Sequence, residues 1–125
     1  MRQVISTDNA PRAIGPYSQA IRANGMIFVS GQTPIDPATQ QLISGSIGEQ
    51  TERVLRNIEA ILTQAGSAMA KVVRCGVFLK DMNDFTAMNE VYGKFFKSEP
   101  PARTTIQAAR LPKDCMVEID AIALE

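Results

Sequence analysis

The amino-acid sequence predicts an α+β fold with the element order β-β-α-β-α-β-β. Three observations support this prediction: an Asn-Gly pair between β-forming residues, two segments whose apolar residues recur at helical spacing, and a C-terminal segment that alternates in polarity. The chain has 125 residues, of which 45% are apolar. That is enough for one ordinary core, so we expect one domain spanning residues 1–125, with both helices on one face of a mixed sheet.

The Asn-Gly pair is Asn24-Gly25, which lies between Ala20-Ile21-Arg22 and the run Met26–Ser30. Both residue types tolerate positive φ, which a two-residue hairpin turn requires. We therefore expect two antiparallel strands around this turn. Thr33-Pro34-Ile35-Asp36-Pro37 then interrupts the ladder, and the chain to about Gly48 is predicted to be loop and short strand.

The first predicted helix runs from Glu49 to Ala65, because its apolar residues form one stripe at three- and four-residue spacing. Ser46 and Glu49 have the spacing of a capping box, and Gly66 is placed to adopt the left-handed conformation that ends a helix. The β-rich run Val72–Leu79 follows and is suited to a central strand.

The second predicted helix begins with Asn83 or Asp84 as its cap and ends before Pro100-Pro101. Its apolar stripe consists of Phe85, Met88, Val91, Tyr92, Phe95 and Phe96. Two strands, Arg103–Ala109 and Cys115–Leu124, are predicted to follow and to pair with each other.

Alternation in the last strand places Val117 and Ile119 on the face that meets the helices. If the preceding strand pairs with it and turns Ile106 into the core, one set of polar residues shares the opposite face. That set is Arg103, Thr105, Gln107, Glu118 and Asp120. The same face carries Ile122 and Leu124, and a half-apolar sheet face without a covering helix is an association site, so we expect a homo-oligomer.

The composition argues against several classes of function. Lys plus Arg number 13 and Asp plus Glu number 13, so the zero net charge speaks against nucleic acid as the main partner. No apolar run has the length of a membrane span or a signal sequence, and we expect a cytoplasmic protein. With two cysteines, Cys75 and Cys115, and no histidine, we expect buried thiols, no metal site and no cofactor.

Arg103 is the side chain best suited to hold a small carboxylate ligand, because its planar guanidinium can donate two parallel hydrogen bonds. A pocket at the seam between subunits would suit this role. On spacing alone, an ion pair between Arg103 and Glu118 across the two strands explains the same residues. Both interpretations stay open at this point.

Six motifs follow one another along nearly the whole chain. They are Ile14-Gly15-Pro16-Tyr17-Ser18-Gln19-Ala20, Val29-Ser30-Gly31-Gln32, Lys80-Asp81-Met82-Asn83-Asp84-Phe85, Pro101-Ala102-Arg103-Thr104-Thr105, Arg110-Leu111-Pro112 and Val117-Glu118-Ile119-Asp120-Ala121-Ile122-Ala123. No single motif is specific, but their combination resembles the RidA (YjgF, reactive intermediate deaminase) family.

The resemblance implies a chorismate-mutase-like fold, a homotrimer with clefts between subunits, and hydrolysis of 2-imino acids to 2-keto acids and ammonia. Arg103 matches the family arginine that binds the substrate carboxylate. Glu118 matches the glutamate that positions or activates the attacking water. A protonated imine is already electrophilic, so oriented substrate, one water and one proton transfer suffice, and the absence of histidine is no obstacle.

The resemblance also assigns substrate-binding positions to Tyr17, Ser30, Gly31, Phe85, Asn89 and Thr105. Three of these have plainer explanations, since Tyr17 can be a packing residue, Phe85 a core residue and Gly31 a strand bend. Thr105 departs from the many relatives that carry cysteine there. Its backbone N–H can still bind carboxylate, and the departure puts a thiol-dependent redox role in doubt.

The expected substrates are 2-aminoacrylate with its tautomer 2-iminopropanoate, and 2-iminobutanoate. Two other functions are retained as alternatives. One is a non-catalytic module that binds a keto acid or a related metabolite through the same arginine. The other is RNA cleavage or inhibition of translation, claimed for some members of the family, which the zero net charge disfavours.

Overall fold

The first three strands form an antiparallel meander. In the computed structural model, which describes residues 1–125, β1 (Gln3–Ile5) pairs with β2 (Ala20–Ala23), and β2 pairs with β3 (Met26–Gln32). Asn24 (φ 52°) and Gly25 (φ 77°) form the turn between β2 and β3, which confirms the predicted hairpin. Strand β1 was not among the elements predicted from the sequence.

A small separate hairpin lies in the segment predicted to be loop and short strand. Its strands, β4 (Ile35–Asp36) and β5 (Gln41–Leu42), pair only with each other.

Helix α1 extends from Ile47 to Gln64. The Ser46 side chain accepts a hydrogen bond from the backbone N–H of Glu49, and the Glu49 side chain accepts one from the N–H of Ser46, so the predicted capping box is confirmed. Gly66 follows the helix with φ 81°, the left-handed conformation expected of it.

The C-terminal half contributes one helix and three long strands. They are β6 (Val72–Leu79), α2 (Phe85–Phe95), β7 (Ala102–Gln107) and β8 (Val117–Leu124). The strands join the meander in one sheet of six, in the order β1-β2-β3-β8-β6-β7, in which β6 and β7 are parallel and all other neighbours are antiparallel. The predicted mixed sheet is therefore confirmed. Short 3-10 turns precede β6, α2 and β8 at Met69–Lys71, Met82–Asp84 and Pro112–Asp114.

Both helices pack on one face of this sheet and form the core with it. Alternate residues of β8 face the helices and are buried, whereas the residues between them are half-buried or exposed. The buried set is Val117, Ile119, Ala121 and Ala123. Neither helix combines the length and the apolar character needed to cross a bilayer.

The other face of the sheet, which we call the open face, has no helix over it. Its side chains include a row of paired apolar residues that crosses four strands, namely Val4, Ile21, Phe28 and Ile122. Val4, Phe28 and Leu124 are exposed. The open face therefore presents apolar surface to solvent in a single chain.

The predicted pairing of the last two strands is wrong. Arg103 is the register partner of Cys75 in β6, and β6 lies between β7 and β8. As a result Ile106, expected in the core, is 47% exposed. A strand, a helix and a strand in succession are typical of a parallel β-α-β unit, which brings β7 back beside β6 rather than beside β8.

Candidate active site

Four of the predicted site residues line one cavity of about 410 Å³. We call Tyr17, Ser30, Gly31 and Glu118 the glutamate group. The cavity lies against the N-terminal segment, the end of β3 and the turn before β8. Its size is within the range of small-molecule sites.

A bulge in β3 positions Gly31 against Glu118. Val29 pairs with Ala121 and Gln32 pairs with Ile119, so three steps along β3 match two steps along β8. A Cβ at Gly31 would overlap Oε2 of Glu118 and would lie 3.1 Å from its Cδ. The absence of a side chain at Gly31 therefore leaves room for the Glu118 carboxylate.

Ser30 and Tyr17 each form a hydrogen bond with a nearby backbone group. The Ser30 hydroxyl donates to the carbonyl of Ser18 at 2.6 Å, which ties β3 to the segment that carries Tyr17. The Tyr17 hydroxyl accepts from the N–H of Ile14 at 3.4 Å, and the Tyr17 side chain is exposed. Tyr17 is therefore a residue of the cavity wall and not a packing residue of the core.

Buried amide side chains hold the walls of the cavity in place. Gln19 accepts from the N–H of Thr7 at 2.7 Å and donates to the carbonyl of Pro11 at 2.7 Å. Asn57 of α1 is fully buried and donates to the carbonyls of Thr33 and Ile35. These bonds satisfy backbone groups that a loop would otherwise leave unpaired.

The surroundings of Glu118 increase its affinity for a proton. Burial raises the pKa of Glu118 above its usual value, and the charge of Asp120 raises it further. Arg12 and Lys113 also line the cavity and make it attractive to anions. No cluster of three or more His, Cys, Asp or Glu side chains is placed to hold a metal ion.

The remaining predicted residues lie on β7 and α2, and we call them the arginine group. They are Arg103 and Thr105 of β7, and Phe85 and Asn89 of α2. Phe85 and Asn89 are one helical turn apart on α2. The Arg103 guanidinium carbon lies 5.5 Å from the centre of the Phe85 ring. The ion pairs of the structure involve Arg22, Arg56, Arg74 and Arg110 but not Arg103.

The edge position of β7 leaves backbone donors free beside Arg103. The N–H of Ala108 donates to the carbonyl of Leu79 in β6. Because N–H groups alternate in direction along a strand, those of Arg103 and Thr105 point away from β6 toward the open edge. The Thr105 hydroxyl oxygen is buried without a hydrogen-bond partner. The arginine group thus offers a guanidinium and backbone N–H groups to an anion.

The two groups do not meet within one chain. Arg103 contacts α2 on the helical face of the sheet, whereas Glu118 alternates with buried Val117 and Ile119 and faces the other way. The predicted alignment of Arg103, Thr105 and Gln107 with Glu118 and Asp120 is therefore wrong, as is an ion pair between Arg103 and Glu118. The cause is the parallel pairing of β7 with β6.

Sequence reasoning missed the contribution of Tyr92. Its ring centre lies 4.7 Å from the Arg103 guanidinium carbon, closer than that of Phe85. From the sequence, Tyr92 was predicted only as a member of the apolar stripe of the second helix. Its position three residues after Asn89 and seven after Phe85 places it on the same side of α2, and this spacing is the signal that was available.

The chain resembles proteins of one family along its whole length. The family model described as Endoribonuclease L-PSP matches residues 7–125. A RutC family protein of Pyrococcus horikoshii is 53% identical over 123 residues, which cover 98% of each chain. A protein of Homo sapiens named 2-iminobutanoate/2-iminopropanoate deaminase is 46% identical over 125 residues, which cover 100% of this chain and 91% of the human one.

Solved structures agree with the sequence comparison. YyfA of Yersinia pestis, described as a member of the conserved Rid protein family, matches with a TM-score of 0.98 and 45% identity over 100% of both chains. E. coli TdcF, solved with bound serine, matches with a TM-score of 0.94 and 40% identity over 98% of each chain. The chain therefore belongs to the RidA family, the group whose family model is described as Endoribonuclease L-PSP.

Proposed function

We propose that this protein hydrolyses reactive 2-imino acids, such as 2-iminopropanoate and 2-iminobutanoate, to 2-keto acids and ammonia. The observation that carries the proposal is the pair of complementary half-sites, one built around an unpaired guanidinium and the other around a carboxyl whose pKa is raised. An anionic substrate that must be attacked by water needs both kinds of group.

In this proposal the complete site lies at the seam between two copies of the chain. One chain cannot bring Arg103 and Glu118 to the same ligand, because they lie on opposite faces of the sheet with β6 between their strands. Contact with a second copy would bury the apolar row on the open face, which is otherwise exposed to solvent. We infer the homotrimer that the family resemblance implies, with a site at each seam.

Arg103 binds the substrate carboxylate in this account. Its guanidinium has no carboxylate partner of its own, so both parallel N–H donors are available to the ligand. The outward N–H of Thr105 adds a neutral donor at the same edge. Each hydrogen bond to a charged group contributes about 1.5 to 3 kcal/mol, enough to fix the orientation of a small imino acid.

Glu118 handles the water and the protons. The water oxygen attacks the carbon of the protonated imine while Glu118 accepts one water proton, which gives a neutral carbinolamine. Glu118 then returns that proton to the nitrogen. The C–N bond breaks with its electron pair going to ammonia, and the hydroxyl proton passes to solvent water, which completes the carbonyl of the keto acid. A carboxyl with a raised pKa is a stronger base than an exposed glutamate, which suits the abstraction of the water proton.

The relatives support this activity over RNA cleavage. The human protein carries the name of an imine deaminase, and TdcF binds serine, a small molecule with a carboxylate. The description Endoribonuclease L-PSP favours the RNA hypothesis. Zero net charge gives little attraction for a polyanion, so a salt-dependent RNA-binding assay should show only weak binding.

A non-catalytic binding module is the second alternative, and Glu118→Gln separates it from the enzyme. This change keeps the size of the side chain and removes its basicity. The enzyme hypothesis predicts lost turnover with retained keto-acid binding, whereas a binding module shows no turnover with either side chain.

The experiment that tests the proposal follows 2-iminobutanoate produced in place by threonine dehydratase and trapped by semicarbazide. Wild type should speed keto-acid release and reduce the trapped fraction, and Arg103→Ala should not. If the folded, oligomeric wild-type protein releases keto acid no faster than the uncatalysed hydrolysis does, the proposed deaminase activity is refuted.

A further inference from the structure

The Arg103 side chain rests on two aromatic rings of α2 and on no acidic residue. Its guanidinium carbon lies 4.7 Å from the ring centre of Tyr92 and 5.5 Å from that of Phe85. Both distances fall within the range of a cation–π interaction. The attraction comes from the negative face of each ring, and no carboxylate pairs with the guanidinium.

Tyr92 is held firmly in its place. It is 5% exposed, and its ring centre lies 4.7 Å from that of Phe96 with the planes tilted by 46°. Cys75, the register partner of Arg103 in β6, is fully buried beside Tyr92. A ring packed on this many sides has little freedom to move, and a cation attracted to it loses little further entropy on binding a ligand.

The Tyr92 hydroxyl stays neutral beside the cation. Burial raises the pKa of Tyr92 well above its usual value, and the nearby Cys75 thiol raises it further, while Arg103 acts in the opposite direction. The hydroxyl oxygen is buried and has no hydrogen-bond partner. Tyr92 is therefore no counterion for Arg103, and the contribution of this residue lies in its ring.

We propose that Tyr92, supported by Phe85, is the positioning residue that orients Arg103 for carboxylate binding. An acidic partner would also orient the arginine, but it would neutralise the charge and compete with the substrate for the same N–H donors. The rings of Tyr92 and Phe85 orient the guanidinium without neutralising it, so its charge and its N–H donors remain available to the ligand. This inference rests on the proposed carboxylate-binding role of Arg103.

The test measures binding of the product 2-oxobutanoate by calorimetry, with steady-state kinetics in parallel. Tyr92→Leu should weaken binding about fivefold to thirtyfold, which corresponds to about 1 to 2 kcal/mol, and should raise KM far more than it lowers kcat. Tyr92→Phe keeps the ring and should bind within about twofold of wild type. Phe85→Leu should weaken binding about twofold to fivefold and serves if Tyr92→Leu does not fold.

Phe95→Leu is the matched control, because it removes a ring of α2 that lies against Arg56 and not against Arg103 or Tyr92. Tyr92→Leu should add nothing in an Arg103→Ala background, since it acts through Arg103. If the Tyr92→Leu or Phe85→Leu protein binds as tightly as the Phe95→Leu protein, the positioning role of Tyr92 is overturned, while the proposed deaminase activity is unaffected. Unchanged binding by Arg103→Ala would overturn the carboxylate-binding role of Arg103, and with it the positioning role of Tyr92.

Discussion

The Glu118 carboxylate occupies the space that a side chain at Gly31 would need. A Cβ at Gly31 would overlap Oε2 of Glu118 and would lie 3.1 Å from Cδ and 3.3 Å from Cγ. Gly31 has no left-handed backbone angle that would demand glycine. The requirement for glycine at this position therefore arises from the close approach of Glu118, and a site built on Glu118 depends on it.

Gly31→Ala should displace the Glu118 carboxylate and lower kcat by roughly 10² or more, the usual contribution of a positioned general base. The measurement is the semicarbazide competition assay, with thermal unfolding to show that the protein remains folded. Gly93→Ala is the matched control, since a Cβ at Gly93 meets nothing within 4 Å. Gly31→Ala with the activity of wild type would contradict the role of this contact.

The pH profile should report the raised pKa of Glu118. Glu118 works as a base only when ionised, so activity should fall as the pH decreases through its pKa, which burial and then Asp120 hold above the usual value. Asp120→Asn removes a charge but keeps an oxygen that can accept from the N–H of Gly76. The acid limb of kcat/KM should therefore move to lower pH.

The control for that profile is Glu52→Gln, which removes a charge from an exposed carboxylate on α1. Its acid limb should coincide with that of wild type. If Asp120→Asn leaves the limb in place, or moves it to higher pH, Asp120 does not set the proton affinity of Glu118.

Arg103→Lys should recover only part of the activity that Arg103→Ala loses. Lysine restores the positive charge but not the planar pair of donors, so kcat/KM should lie between that of wild type and that of Arg103→Ala. The alanine variant should lose roughly 10² in kcat/KM, because charge-assisted hydrogen bonds disappear. If kcat/KM of the Arg103→Lys variant equals that of wild type, the positive charge alone binds the substrate and the planar pair of N–H donors is not needed.

Neither cysteine should react with iodoacetamide in the native protein. Cys75 and Cys115 are buried, burial raises the pKa of Cys75, and burial raises the pKa of Cys115 to about 11. Mass spectrometry should find no alkylation of the folded protein and two alkylated cysteines in denaturant. Rapid modification of one cysteine in the native state would show that its burial is incomplete in solution.

The local elements could be predicted because their signals lie within a few residues of one another. Asn24-Gly25 specifies its turn, and Ser46 with Glu49 specifies the start of α1. The mixed sheet with helices on one face followed from the order of the elements. Strand β1 was missed because it is short and its burial comes from pairing with distant β2.

The relation between the two halves of the site could not be predicted by alternation along one strand. Alternation assigned Glu118 correctly to the open face, but it cannot say which neighbour β7 pairs with. The choice of β6 over β8 turned Arg103 toward α2 and Ile106 toward solvent. Tyr92 contacts Arg103 for the same reason, since the parallel pairing brings Arg103 onto its ring.

The measurement that tests the central claim most directly is complementation between two inactive variants. Arg103→Ala and Glu118→Gln would be purified separately, mixed in equal amounts, unfolded together and refolded. If each site joins Arg103 of one copy to Glu118 of its neighbour, random mixing leaves about a quarter of the sites intact, and about a quarter of wild-type activity should return. A mixture no more active than its two parents, although mass spectrometry detects mixed oligomers, would contradict a site shared between copies.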